Sequence, residues 1–241
     1  SYAWVVNKER NMNMKNLVCA LFIFSLFMTS CSQYEHRIST TSSPNESTGN
    51  YVGSVPLKLY TFNCGNIEVS DFDAFSSNGD YAGQGGKLVN TCYLIRHPEG
   101  DLIWDLGLPH SLVGSEPQVD GIFTVSLKSP LTDLLGKIDL TVADIEFMSI
   151  SHSHFDHTGQ ASLFSDVEWL VHEDELEHMF GTDESKAQNI AFVGLNKTTF
   201  SESYDVFGDG SVVILEMPGH TPGNTVLQVN LVESEPVLLT G

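Results

Sequence analysis

Three histidines and an aspartate fall within six consecutive positions: His152, His154, Asp156 and His157, in the stretch SISHSHFDHTG at 149–159. Imidazole nitrogens and carboxylate oxygens are the donors that Zn²⁺ takes, with water at an open catalytic position. The residues just before the cluster, 146–150, read as a strand. Along an extended backbone, residues two apart point to the same side. His152 and His154 therefore face together at the mouth of that strand. On a helix the same spacing would set them about 200° apart. Asp156 and His157 follow where the chain turns, and they aim differently. Two donor pairs aimed two ways suit two metals, about 3.5–4 Å apart, better than one. The bland alternative is a solvated polar loop.

The elements that must position this cluster alternate along the chain. Segments 56–63, 88–96 and 101–105 read as strands, with HPEG at 97–100 a hairpin-type turn between the last two. Leu131, Leu134, Leu135 and Ile138 recur at helical spacing across 130–138. Thr141 opens a short capped turn. A strand at 168–171 leads into an acidic helix over 172–180, and strands follow at 212–216, 225–232 and 237–239. Interleaved strands and helices predict a layered α/β body.

The chain has 241 residues, with 11 Lys+Arg against 31 Asp+Glu and a formal charge of −20. A surface this acidic repels phosphate backbones and excludes nucleic acid as a partner. It accommodates metal cations and small organic substrates.

The N-terminus is a separate object. Lys15 precedes an apolar run over 17–28, followed by Thr29, Ser30 and Cys31. A basic start, a short apolar run and small residues make a secretory signal. The run is shorter than the roughly 20 residues that span a bilayer. MTSC resembles a bacterial lipoprotein box, which makes Cys31 the lipid-attachment site. The expectation is an exported protein, held at the bacterial cell envelope by an N-terminal lipid anchor. Residues 1–31 are upstream sequence plus signal, 32–54 a flexible Ser/Thr-rich tether, and 55–241 the folded domain. Cys64 and Cys92 lie in apolar strand-like runs. They either pair, as exported cysteines do, or stay buried as free thiols.

SHSHFDHTG resembles the signature of the metallo-β-lactamase superfamily. Three further stretches agree in order: IWDLG at 103–107, PGHTPG at 218–223 and VLLTG at 237–241. LYTFNCG, DFDAFS, YAGQ and CYLIRHPEGDLIWDLGLP are similar to N-acyl-homoserine lactonase-family proteins. The resemblance implies a metallo-β-lactamase-type αββα sandwich, incomplete in its C-terminal half. It implies two Zn²⁺: one on His152, His154 and His220, the other on Asp156 and His157. Asp156 also becomes a catalytic residue, and Asp105 a hydrogen-bonding support for the ligands. The implied reaction opens a small-molecule lactone by attack of a metal-bridging hydroxide. The resemblance places a bridging aspartate immediately after Gly241, so the chain reads as a truncated fragment, with an incomplete second metal site and little turnover of its own. Asn224 stands where many lactonase relatives carry another histidine, which bears on the substrate and not on the metal. Hydrolysis of a thioester, β-lactam or phosphodiester on the same metals, and an inactive metal-binding fragment, remain alternatives.

The other histidines read as structural or surface residues. His172 and His178, on the acidic helix, are expected to be solvated, and His97 and His110 have no partner apparent in sequence. Phe72 and Phe75, in DFDAF, read as loop packing or as a border to the substrate's acyl chain.

Overall fold

The structure, a computed structural model, describes residues 57–241. The expected signal, Cys31 and the expected tether lie outside the described residues. Strands β1 (Lys58–Val69), β2 (Gly86–His97), β3 (Gly100–Trp104), β4 (Gln118–Asp120), β5 (Phe123–Ser126), β6 (Phe147–Ser149), β7 (Glu168–His172) and β8 (Lys197–Phe200) build one sheet, in the order β4-β5-β1-β2-β3-β6-β7-β8. Strands β9 (Tyr204–Asp205), β10 (Val212–Glu216), β11 (Thr225–Val229) and β12 (Val237–Leu239) build a second, in the order β12-β11-β10-β9.

The larger sheet changes character at β3. From β4 to β3 its strands pair antiparallel, and β3, β6, β7 and β8 run parallel. Parallel strands covered on both faces need apolar residues on both. The sequences of β3 and β7 comply: Leu102, Ile103, Trp104, Trp169, Leu170 and Val171 are all buried. One set of these side chains (Leu102, Trp104, Leu170) packs against Val212, Ile214, Leu227 and Val229 of the small sheet. The alternate set (Ile103, Trp169, Val171) packs against Leu131, Leu135, Phe164 and Met179 on the outer face. The layers are therefore helices, large sheet and small sheet.

The helices are short: α1 (Leu131–Gly136), α2 (Phe155–Thr158), α3 (Glu173–Phe180) and α4 (Asp183–Gln188). Helix α1 realises the spacing of Leu131, Leu134 and Leu135, which are all buried. The capping box at Thr141 forms, with Asp144 Oδ2 accepting from the Thr141 backbone N–H at 2.8 Å, but it opens a single 3-10 turn. Strands β4, β5, β8 and β9 and helix α4 were not expected from the sequence. Among the described residues no helix is long and apolar enough to cross a membrane.

Cys64 and Cys92 pair as a buried disulfide between β1 and β2, with Cα atoms 5.8 Å apart. The bond braces the loop after β3. Leu108 N donates to Cys64 O at 3.1 Å. Gly107 has φ 65° and lies so close that a Cβ there would sit 2.5 Å from Cys64 Cβ. Only glycine tolerates both that conformation and that approach.

Parallel strands deliver their C-terminal ends to one side of the sheet, which is where ligand sites of α/β sheets form. Here β3 runs into Asp105, β6 into Ser151 and His152, and β7 into α3.

Candidate metal centre

His152, His154 and His220 converge. Each offers one ring nitrogen, and the three atoms lie within 4.8 Å of one another. The ring centroids of His220 stand 4.5 Å from those of His152 and 4.6 Å from those of His154. His152 Nε2 is already 3.0 Å from His154 Nδ1; the rings share a side as expected, although residues 151–154 bend rather than run extended. Nitrogens bonded to one zinc at about 2 Å stand about 3–4 Å apart, so small ring rotations close the set. His152 is buried, and His154 and His220 are exposed.

Asp156 and His157 form the neighbouring donor pair. Asp156 Oδ2 lies 3.3 Å from His157 Nε2. The His157 ring is 4.2 Å from that of His152, centroid to centroid. The other face of His157 is anchored: its Nδ1 lies 3.0 Å from Asp105 Oδ2. Asp105 is 1% exposed. Its Oδ1 accepts from Ser151 N at 2.7 Å, and its Oδ2 accepts from Ser151 Oγ at 3.1 Å. It also occupies the left-handed region, with φ 61°, where aspartate is one of the few tolerated side chains. A carboxylate that holds the far nitrogen of an imidazole fixes its tautomer and its aim.

Ser151 joins the two donor sets. Its Oγ also lies 3.1 Å from His152 Nδ1 and 3.2 Å from His157 Nδ1. With the hydroxyl proton given to Asp105, the oxygen accepts Nδ1–H from His152. Nε2 of that ring is then left as a free base toward the centre. Asn90 reaches across from β2, and its Nδ2 donates to the Asp156 carbonyl at 2.7 Å.

The electrostatics separate the rings. Burial, then the neighbouring His157, His154 and His220, push His152 down to about 3. Partial desolvation of the ring, then His220, lower His154 as well. His157 goes the other way: burial opposes its charge, but Asp105 and Asp156 raise it to about 10. Burial opposes ionisation of Asp156, yet the hydrogen bond and charge of His157 hold it below the usual carboxylate range.

The His220 loop is tied down by backbone bonds. Thr225 N donates to Ser151 O at 2.9 Å. Asn224 is buried and closes the loop, its Nδ2 donating to Met217 O at 3.1 Å and its carbonyl accepting from Met217 N at 2.9 Å. Gly241, beyond β12, packs against Ser151.

One expectation changes. His172 is not a solvated surface residue. It is 3% exposed, its Nδ1 accepts from Asp174 N at 3.2 Å, and its ring stands edge-on to Phe200. It is the last residue of β7, so it inherits that strand's burial. His97 is structural, as expected, and the fold supplies the partner the sequence does not show: its Nε2 lies 3.1 Å from Asp209 Oδ2, and its ring stacks on Phe207 at 4.0 Å. His178 and His110 are exposed. Sequence reasoning missed Ser151, Asn90 and the buried Glu175, whose contacts join segments far apart in the chain.

A histidine cluster after β6, at the C-terminal side of the parallel strands, joined by an imidazole from the β10–β11 loop, is the arrangement of an α/β protein able to hold metal ions. The chain belongs to the metallo-beta-lactamase superfamily, whose profile matches residues 85–241. It is similar to an N-acyl homoserine lactonase of Bacillus sp., 31% identical over 165 residues that cover 64% of this chain and 65% of that protein. It is also similar to the N-acyl homoserine lactonase AttM of Rhizobium radiobacter, 27% identical over 201 residues, covering 76% and 75%. A solved N-acyl homoserine lactone hydrolase with N-hexanoyl-L-homoserine bound at its catalytic metal centre superposes with a TM-score of 0.66 at 28% identity. That match covers 76% of this chain and 74% of the other. The chain spans 65% of the length of the Bacillus relative.

Proposed function

We propose that the chain is a zinc-dependent hydrolase that opens lactone rings, with N-acyl homoserine lactones as its substrates. The observation that carries this reading is the convergence of His152, His154 and His220 beside the Asp156–His157 pair. The donor set fits zinc: three imidazoles in reach of one ion, and a carboxylate with a fourth imidazole for another. Bound there, zinc supplies Lewis acidity and a water of lowered pKa. Asp105 keeps His157 aimed through Nδ1, and Ser151 leaves Nε2 of His152 free. Asp156 stays anionic at neutral pH because His157 faces it.

The surface beside the centre suits an acyl chain. Phe155, between His154 and Asp156, is 45% exposed and lies 6.0 Å from Phe123, which lies 6.2 Å from Phe75. This aromatic row offers apolar cover at about 0.8 kcal/mol per methylene buried. The formal charge of −20 disfavours polyanionic phosphodiesters. The names of the relatives support the lactone reading over thioesters and β-lactams.

A pH-stat assay of the zinc-loaded chain on acyl homoserine lactone, thioester and β-lactam substrates tests this. The order of preference carries the test rather than the absolute rate. Lactone hydrolysis ahead of the others, lost in His154→Ala, is expected; preference for a thioester or β-lactam would overturn the substrate. We also propose export and lipid attachment at Cys31, supported by the sequence signal alone. Labelling with a radioactive fatty acid should mark the wild-type chain and not Cys31→Ser; equal labelling would contradict it.

A further inference from the structure

Helix α3 carries a carboxylate that the reading above leaves without a task. Glu175 is 2% exposed in a first turn otherwise made of solvated acids. Its two oxygens serve two different loops. Oε1 accepts from Ser153 N at 2.7 Å, and Ser153 stands between His152 and His154. Oε2 accepts from Thr221 Oγ1 at 2.6 Å and Gly223 N at 3.2 Å, and Thr221 follows His220. The three donors leave the carboxylate committed to the loops. Gly223 lies so close to the start of α3 that a Cβ there would collide with the Glu175 backbone N. Glycine in PGHTPG is thus what lets the His220 loop reach this carboxylate.

We infer that Glu175 is a positioning residue: one buried side chain that holds the loop of His152 and His154 and the loop of His220 at the separation a shared metal needs. The inference rests on the zinc-centre reading. His220 comes from the second sheet, and its ring is exposed. Strand pairing does not set its distance from His154, because β11 and β6 belong to different sheets. Backbone bonds at Thr225 fix the far end of its loop, and Glu175 fixes the end next to the ring. A carboxylate meets this demand because it accepts on both oxygens. Glutamine would turn one of them into a donor facing N–H or O–H, and would release one loop.

The test compares the full chain with Glu175→Gln and with Thr221→Val, which keeps Glu175 but removes one of its donors. Zinc affinity is measured by competition with a chromophoric chelator, the visible spectrum of the Co²⁺-substituted protein reports ligand geometry, and the melting temperature is taken without metal. Glu175→Gln should weaken zinc about 10–100-fold and alter the Co²⁺ bands. Thr221→Val should fall between it and the parent, with metal-free melting close to the parent's. Parental affinity and spectrum in both variants would overturn the inference while leaving the zinc centre intact. Should Glu175→Gln fail to fold, Thr221→Val decides alone: parental affinity and spectrum sink the inference, and an intermediate loss sustains it. A parent chain that binds no zinc overturns both readings.

Discussion

The wall of the centre around His157 and the wall formed by His154 and His220 are built by different means. His157 is buried, with a carboxylate on each ring nitrogen, and Asp105 behind it is tied to Ser151 by two hydrogen bonds. The backbone there is locked as well: Leu106 N donates to His157 O at 2.8 Å, and Gly159 N donates to Gly107 O at 2.8 Å. The disulfide packs under the same loop. His154 and His220, by contrast, are exposed rings on loops, held through backbone bonds and Glu175. The lesson is a division of labour. One wall belongs to the folded core and should fail with it; the other can lose its donors while the fold survives.

The largest effect should come from Asp105→Ala. It leaves the Ser151 N–H, the Ser151 hydroxyl and the His157 ring without their acceptor, and breaking a buried pair in this way costs about 3–5 kcal/mol. Urea denaturation of the metal-free chain reads that loss. His220→Ala should abolish tight zinc binding yet stay within about 0.5 kcal/mol of the parent in the same titration. Equal stability losses in the two variants would erase the contrast between the walls.

Next comes the disulfide. Replacing Cys64 and Cys92 together by Ala should cost about 2–4 kcal/mol and weaken zinc on the His157 side first. Wild-type unfolding in that variant would mean that the loop after β3 does not need the brace. Smaller still is the contrast among histidines. His154→Ala should lose bound metal by elemental analysis, whereas His178→Ala, exposed on α3, should keep it; equal retention would remove His154 from the centre.

The pH dependence distinguishes the walls by sign. His157 is raised to about 10, above its ordinary value of about 6.5. In the metal-free chain its stabilisation is complete below about 6.5 and is lost as pH rises through 10. His152 is lowered to about 3. It therefore costs nothing above about 6.5, and stability declines as pH falls from there toward 3, because the unfolded chain takes up the proton that the folded one refuses. Thermal melts should fall off on both sides. Zinc taken up by His157 near pH 7 must displace a proton, so calorimetric heats should differ between buffers of different ionisation enthalpy. Heats independent of the buffer would count against His157 as a donor.

The residues that the sequence brought forward and those it hid differ in physical kind. The H-x-H spacing after an apolar strand put His152 and His154 on one side, and the rings do meet there, though through a bend at 151–154 rather than a continued strand. Motif order brought in His220 and Asp105, from opposite ends of the domain. Ser151 was passed over because a serine beside a histidine is unremarkable until Asp105, 46 residues earlier, comes to meet it. Glu175 was hidden among Glu173, Asp174 and Glu177. A signal did exist: Glu175 and the buried Met179 are four apart, so this glutamate lies on the inward stripe of α3. Strands β4, β5, β8 and β9 escaped because each is two to four residues long, and their pairing is decided by neighbours distant in sequence.

Crystals of the chain soaked in zinc, with diffraction recorded at the zinc absorption edge, show where the ion sits. An anomalous peak is expected within bonding distance of nitrogens from His152, His154 and His220, with a weaker peak beside Asp156 and His157. Zinc elsewhere on the acidic surface, with no peak among the three imidazoles, would contradict it.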